Sequence, residues 1–509
     1  MTHRITALVL TAILAAAIPG CKPARQAARN SSVTEWPTSV WRTGAPEEKG
    51  FDSLKLAEGL MAIRSAGLDL HSVAIVRDGV MVLDAYFYPY DGTTVHDQAS
   101  VTKSIMTTLI GIAADQGKLK LDDPMLSFFP ERAVANRDAA KERVTVRHLA
   151  SMSSGLECTS AGDERTLKEM ERSPDFVQFT LDRKMAAEPG NAFVYCSPGM
   201  HLLSAILQKA TGMTALEFAR LHLFGPLGIR DVLWPTDAQG VNHGWGDIRL
   251  HPHDMAKIGF LWLNHGQWEG KQVVSREWVE SSVKTQIKTG RNDDYGYGWW
   301  ITGDKGEYAA IGRGGQRIQV WPEINALLVM TGGGVDIDDI EPMITPAFTS
   351  PDKPLPANPS GVDRLKAALA AVAAPPEPKP AAPLPATAKR ISGRTFVFDP
   401  NPLGIEACSL EFIEPAGAVF RITHNGGTTE PWPVGLDGVY RMSEGPYGLP
   451  QGLRGEWTDE RTFALEYDNI ANNDHFFLRL RFDGDKVTIE SRETAHELGA
   501  RFEGRAARR

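Results

Sequence analysis

Ser100-Val101-Thr102-Lys103-Ser104-Ile105-Met106-Thr107-Thr108-Leu109-Ile110-Gly111-Ile112-Ala113-Ala114-Asp115-Gln116-Gly117 is the stretch on which the reading of this chain turns. Its apolar residues are nearly continuous, which predicts a buried helix, and Gly117 stands where a left-handed C-terminal cap belongs. Ser100 and Lys103 are three residues apart and so share one helical face, with the ammonium in reach of the hydroxyl. A serine hydroxyl is a poor nucleophile until a base takes its proton. Lysine can be that base when burial lowers its pKa. At the first turn of a helix, Ser100 also meets the positive end of the macrodipole, which favours a developing oxyanion. Ser281-Ser282-Val283-Lys284 repeats the spacing on a polar helix where the lysine faces water, so context and not spacing separates the two.

Further along lies Pro189-Gly190-Asn191-Ala192-Phe193-Val194-Tyr195-Cys196-Ser197, which runs into a predicted helix at 200–211. A tyrosine leaving a turn there can aim its phenol into a cleft; a core tyrosine with a bonded hydroxyl is the plainer reading. Gly312-Arg313-Gly314-Gly315-Gln316 opens a predicted strand at 317–321. Glycines at a strand edge admit a second backbone or a substrate laid alongside, or simply make a bulge.

In this order the three segments resemble those of the serine β-lactamase and penicillin-binding protein superfamily. The likeness is to its class C-like branch, which includes esterases, D-aminopeptidases and 6-aminohexanoate-dimer hydrolases. His148-Leu149-Ala150-Ser151-Met152-Ser153-Ser154-Gly155-Leu156, Gly246-Asp247-Ile248-Arg249, Gly266-Gln267-Trp268-Glu269-Gly270-Lys271 and Tyr295-Gly296-Tyr297-Gly298-Trp299-Trp300 match further landmarks of that branch. The resemblance implies an α+β fold, a mixed antiparallel sheet with a helical subdomain and a site between them. It implies Ser100 as nucleophile, Lys103 as its proton partner and Tyr195 as general base, with Ser197, Gly312, Arg313, Gly314 and Gly315 binding substrate. The oxyanion hole would be the amides of Ser100 and Gly315. Two departures stand out. Gly312 and Arg313 replace the Lys-Thr pair that grips a substrate carboxylate in β-lactamases, leaving Arg313 as a substitute cation. Ser197 replaces an asparagine. Cys196 follows the proposed base and Cys158 follows the loop that the family sets near the site, so the two either form a disulfide that fixes Tyr195 or are simply two small buried residues.

The remaining sequence frames this core. The 509 residues, 42% hydrophobic and 23% charged, suit two or three globular domains. A formal net charge of −9 without a basic face argues against nucleic-acid binding. The first residues carry a cation, an apolar run at 5–18 and then Gly20-Cys21, which reads as a signal peptide at 1–21. Ile18-Pro19-Gly20-Cys21 also resembles a lipoprotein box with Cys21 lipidated; plain secretion is the other reading. Either places the mature chain outside the cytoplasm, periplasmic or anchored to a membrane by lipid. A hydrolase domain is expected at 46–350, a helix and Pro/Ala-rich linker at 351–388, and an all-β barrel or sandwich at 389–509. Asp78-Gly79 between predicted strands 72–77 and 80–88 signals a two-residue hairpin. His251-Pro252-His253-Asp254 lacks the spacing of a zinc run, so no metal is expected and no cofactor is implied. The function expected is hydrolysis of an ester or amide, a β-lactam or D-amino-acid peptide included, through an acyl-enzyme on Ser100. The competing expectation is a non-catalytic binder that recognises penicillin or senses cell-wall fragments.

Overall fold

The computed structural model describes residues 35–159, 164–303, 305–413, 416–424, 427, 429–495 and 499–507. The expected signal peptide and Cys21 lie outside the described residues. None of the described helices is long and apolar enough to cross a membrane.

The central element is a nine-stranded sheet, ordered Arg42–Thr43, Val80–Tyr86, Leu70–Arg77, Ala326–Gly332, Gln316–Trp321, Tyr308–Gly312, Trp300–Ile301, Asp294–Tyr295 and Ile287–Lys288. Neighbours are antiparallel except the first pair, which is parallel. Asp78 and Gly79 take φ of 49° and 72°, the two positive values of a type I′ hairpin turn. Leu70–Arg77 pairs with Ala326–Gly332, so both ends of the domain close one sheet. Leu70–Arg77 is buried throughout, because helices cover both faces.

On one face, Ser53–Ala66 packs Leu56, Leu60 and Ile63 against Val73, Ile75 and Leu328. The Asp52 side chain caps that helix by accepting from the Leu54 amide at 2.9 Å. On the other face, Gly259 of helix Pro252–Leu263 sits so close to Ile318 and Leu327 that a methyl group there would clash. Adjacent residues Leu327 and Leu328 thus serve opposite layers, as the pleat requires.

The helix expected ahead of the Pro/Ala-rich stretch is Pro359–Ala373, which buries Leu365, Ala368 and Val372 in the same core as Ser53–Ala66. The Pro/Ala-rich stretch follows it and leads to the short helix Ala386–Ile391.

The C-terminal unit is a ten-stranded sheet. Its Glu430–Gly435 and Pro450–Trp457 strands meet at Gly435 and Arg454, closing nine of the strands into a barrel. Arg441–Glu444 is an extra edge strand on Pro450–Trp457. Phe463 and Leu465, Leu480 and Phe482, and Val487 and Ile489 point inward at a spacing of two. This is the alternation that the sequence carries.

Candidate active site

Helix Val101–Asp115 is buried from Val101 through Ala113. The chain enters it through Ala99, whose φ of +43° is a left-handed conformation that a residue with a Cβ adopts only when held. Asp97 holds it by accepting from the Ala99 amide at 2.9 Å, and the Thr102 hydroxyl donates to the Ala99 carbonyl at 2.6 Å. The sharp turn leaves Ser100 at the mouth of the helix. One turn on, the Lys103 ammonium donates to Ser100 Oγ at 2.7 Å and to the Trp245 carbonyl at 2.8 Å. Lys103 is only 1% exposed. Burial pushes its pKa down to about 8 against the opposing pull of Glu164 and Asp247.

The Tyr195 phenol lies near enough to the same Ser100 hydroxyl for that hydroxyl to favour its ionised form. Burial, with the charge of Glu164, raises its pKa well above the ordinary phenol value. The Lys103 ammonium also lies 4.7 Å from the centre of the Tyr195 ring. Hydroxyl, amine and phenol thus converge at one point. The next residue, Cys196, is paired with Cys158 in a disulfide with its Cα atoms 5.5 Å apart, which ties the Tyr195 segment to the neighbouring loop.

Ser197 departs from the expected substrate clamp. It is buried at the start of helix Ser197–Thr211, and its hydroxyl donates to Glu164 Oε2 at 2.6 Å. Its hydrogen-bonding capacity goes to holding a carboxylate at the cleft wall. The glycine segment packs between the Ser100 turn and the barrel. A methyl group on Gly312 would fall 3.0 Å from the Ser100 amide nitrogen, so Gly312 is the residue laid against the nucleophile turn. Gly315 instead abuts the Val335 carbonyl and Met330, and Gly314 abuts Asn473 of the barrel. The amide that directly follows Gly312, on Arg313, belongs to the residue that lines the cleft. Tyr308–Gly312 is itself a strand paired with Gln316–Trp321, and 313–315 form the tight turn between them.

The cleft has a volume of about 530 Å³, with walls that include Phe193, Tyr195, Trp245 and Trp300. Its rim also carries residues that sequence reasoning did not single out as site residues. Asp247 has a φ of +68°, and its carboxylate lies 2.6 Å from His243 Nδ1. Burial pushes that carboxyl up, but the His243 bond, Arg249 and Lys103 hold it below the usual range. Burial and the nearby Asp247 raise Asp97 to about 6. Asp97 also accepts from Asn473 Nδ2 at 3.1 Å, which ties the nucleophile turn to the barrel. Glu171 is raised by burial and then by Asp247. Only the Gly-Asp of the segment at 246–249 hinted at any of this. Among the described residues no His, Cys, Asp and Glu cluster has a metal-binding arrangement.

A beta-lactamase family model matches residues 55–333. The 6-aminohexanoate-dimer hydrolase of Paenarthrobacter ureafaciens is 23% identical over 286 residues, covering 52% of this chain and 72% of its own length. Esterase EstB of Burkholderia gladioli is 29% identical over 154 residues, 28% of this chain and 39% of its own. A solved Bacillus anthracis structure, described as a candidate 6-aminohexanoate-dimer hydrolase, superposes with a TM-score of 0.51 at 16% identity. It covers 65% of this chain and 86% of its own, which speaks to the fold alone. With the matched span exceeding half of the sequence and including the Ser100 turn and the glycine strand, the chain belongs to the beta-lactamase family of serine hydrolases and penicillin-binding proteins.

Proposed function

We propose that this protein cleaves a carboxylic ester or amide through an acyl-enzyme on Ser100. The observation that carries the reading is the Lys103 amine 2.7 Å from Ser100 Oγ, with the Tyr195 ring beside that amine, 4.7 Å from it. A lysine with a pKa of about 8 is neutral often enough near neutral pH to accept a proton. The buried phenol, pushed up by its surroundings, keeps its proton, so Lys103 is the base and Tyr195 relays protons in neutral form.

In the first half-reaction, Ser100 Oγ bonds to the carbonyl carbon while its proton passes to Lys103 Nζ. The oxyanion faces the Ser100 amide at the helix mouth, with a backbone amide of the 312–315 turn as the second donor. The carbon–leaving-group bond then breaks, and the departing oxygen or nitrogen takes the proton through Tyr195. In the second, water adds to the acyl carbon, gives its proton back through the same groups and frees the carboxylic acid and Ser100. The aromatic walls suit an apolar acyl or leaving group. The expected N-terminal signal and the Cys158–Cys196 pair both fit an oxidising compartment outside the cytoplasm.

The test is steady-state turnover of p-nitrophenyl acetate and butyrate by purified protein, with Ser100→Ala as control. Continuous turnover that vanishes in the variant supports the reading. Undiminished turnover in Ser100→Ala overturns it, and one stoichiometric burst without turnover favours a binder.

A further inference from the structure

The barrel contributes directly to the catalytic cleft. Ala495 lines it, Asn473 donates to Asp97, and the Ala471 carbonyl accepts from the Asp97 amide at 2.9 Å. Gly314 allows this approach: a Cβ there would lie 2.6 Å from Asn473 Cβ. The same barrel edge brings two carboxylates to the one cation in the glycine turn. Arg313 Nη2 lies 3.2 Å from Asp474 Oδ1, and Nη1 lies 3.6 Å from Glu493 Oε1. Arg313 is 30% exposed and lines the cleft, whereas Glu493 is 5% exposed and fixed behind it.

We propose that Asp474 and Glu493 determine specificity by occupying the guanidinium of Arg313, so that the site selects acyl donors without a carboxylate beside the scissile bond. This rests on the hydrolase reading above and narrows its substrate class. With both carboxylates against its guanidinium, Arg313 can take an incoming substrate carboxylate only if one partner is displaced, and the newcomer then meets the charge of the other. Asp97 and Asp247, on the same stretch of wall, add to the repulsion. Among the described residues lining the cleft, the other cations, Lys168 and Arg291, come from different elements than Arg313.

The experiment compares kcat/KM for p-nitrophenyl butyrate with that for the p-nitrophenyl monoester of succinate, which matches it in length and adds a carboxylate. Asp474→Asn with Glu493→Gln should raise the succinate-to-butyrate ratio about ten-fold, the discrimination that one charge-assisted hydrogen bond at a half-exposed site supplies. Adding Arg313→Gln should return the ratio toward that of the wild type. Should the double variant fold poorly, the half-exposed Asp474→Asn alone carries the test, with a rise of about three-fold from relieving one of the two charges. Two results overturn the inference: an unchanged ratio in variants that still turn over butyrate, or a large drop in the wild-type ratio on Arg313→Gln alone. Absence of any ester turnover by the wild type would instead sink the hydrolase reading.

Discussion

Replacing Lys103 by methionine separates the catalytic cost of this residue from its structural cost. A lysine whose pKa falls from 10.5 to about 8 on folding is destabilising while it is charged, since the folded state resists the proton that the unfolded chain binds. Between pH 8 and 10.5 the unfolded chain holds more protons, so stability rises with pH across that window. Below pH 8 the full penalty remains. At 1.36 kcal/mol per pKa unit this amounts to about 3 kcal/mol at pH 7. Methionine fills similar volume without charge, but forfeits the bonds to Ser100 Oγ and the Trp245 carbonyl, each worth about 1 kcal/mol. The net expectation is a variant about 1 kcal/mol more stable than the parent at pH 7, and less so at pH 10. Ester turnover should fall by roughly 10² to 10⁴, the range for removing a general base. Urea denaturation at both pH values, alongside p-nitrophenyl butyrate kinetics, measures both quantities. A variant several kcal/mol less stable at pH 7, or one retaining a tenth or more of the activity, would refute the assignment of a buried, partly neutral base.

Tyr195→Phe should keep the fold and lower kcat about 10²-fold, because the proton relay to the leaving group is lost while Ser100 and Lys103 remain paired; wild-type KM with near-wild-type kcat would contradict this. The Cys158–Cys196 disulfide spans 38 residues, so Cys158→Ser should cost up to about 4 kcal/mol by the loop-entropy relation, read as a lower urea midpoint that reductant does not lower further. His475 sits in the barrel with Asp69 at 2.6 Å and Glu466 at 3.0 Å; burial alone would lower its pKa, but these bonds raise it to about 11. Its contribution is therefore complete below about pH 6.5 and lost as pH climbs toward 11. His475→Gln should destabilise by about 3 kcal/mol at pH 6 and by much less at pH 10, and an equal loss at both pH values would exclude this bridge between barrel and hydrolase unit.

Much of the hydrolase unit is legible because its signals are local. The Asp78-Gly79 pair forms the expected turn, and the apolar run after Ser100 forms the expected buried helix, with Gly117 at φ +69° past its end. The two cysteines pair, one of the two readings that their place in the family's pattern left open. What escaped is set by contacts between distant segments. Tyr308–Gly312 has two alanines at its centre and little β-branched character, so its strand conformation comes from flanking partners and not from propensity. Ser197 carries no local mark of its Glu164 partner, 33 residues earlier. The barrel was visible as alternating strands. Its part in the site depends on Arg313 meeting Asp474 across 161 residues, which no periodicity announces.

The most direct measurement is the mass of the protein quenched in acid during turnover of a slowly hydrolysed p-nitrophenyl ester. The account predicts one acyl adduct per chain, mapped by proteolysis to Ser100 and absent when Lys103 is methionine. An unmodified chain during steady turnover, or an acyl group found on any other side chain, would contradict it.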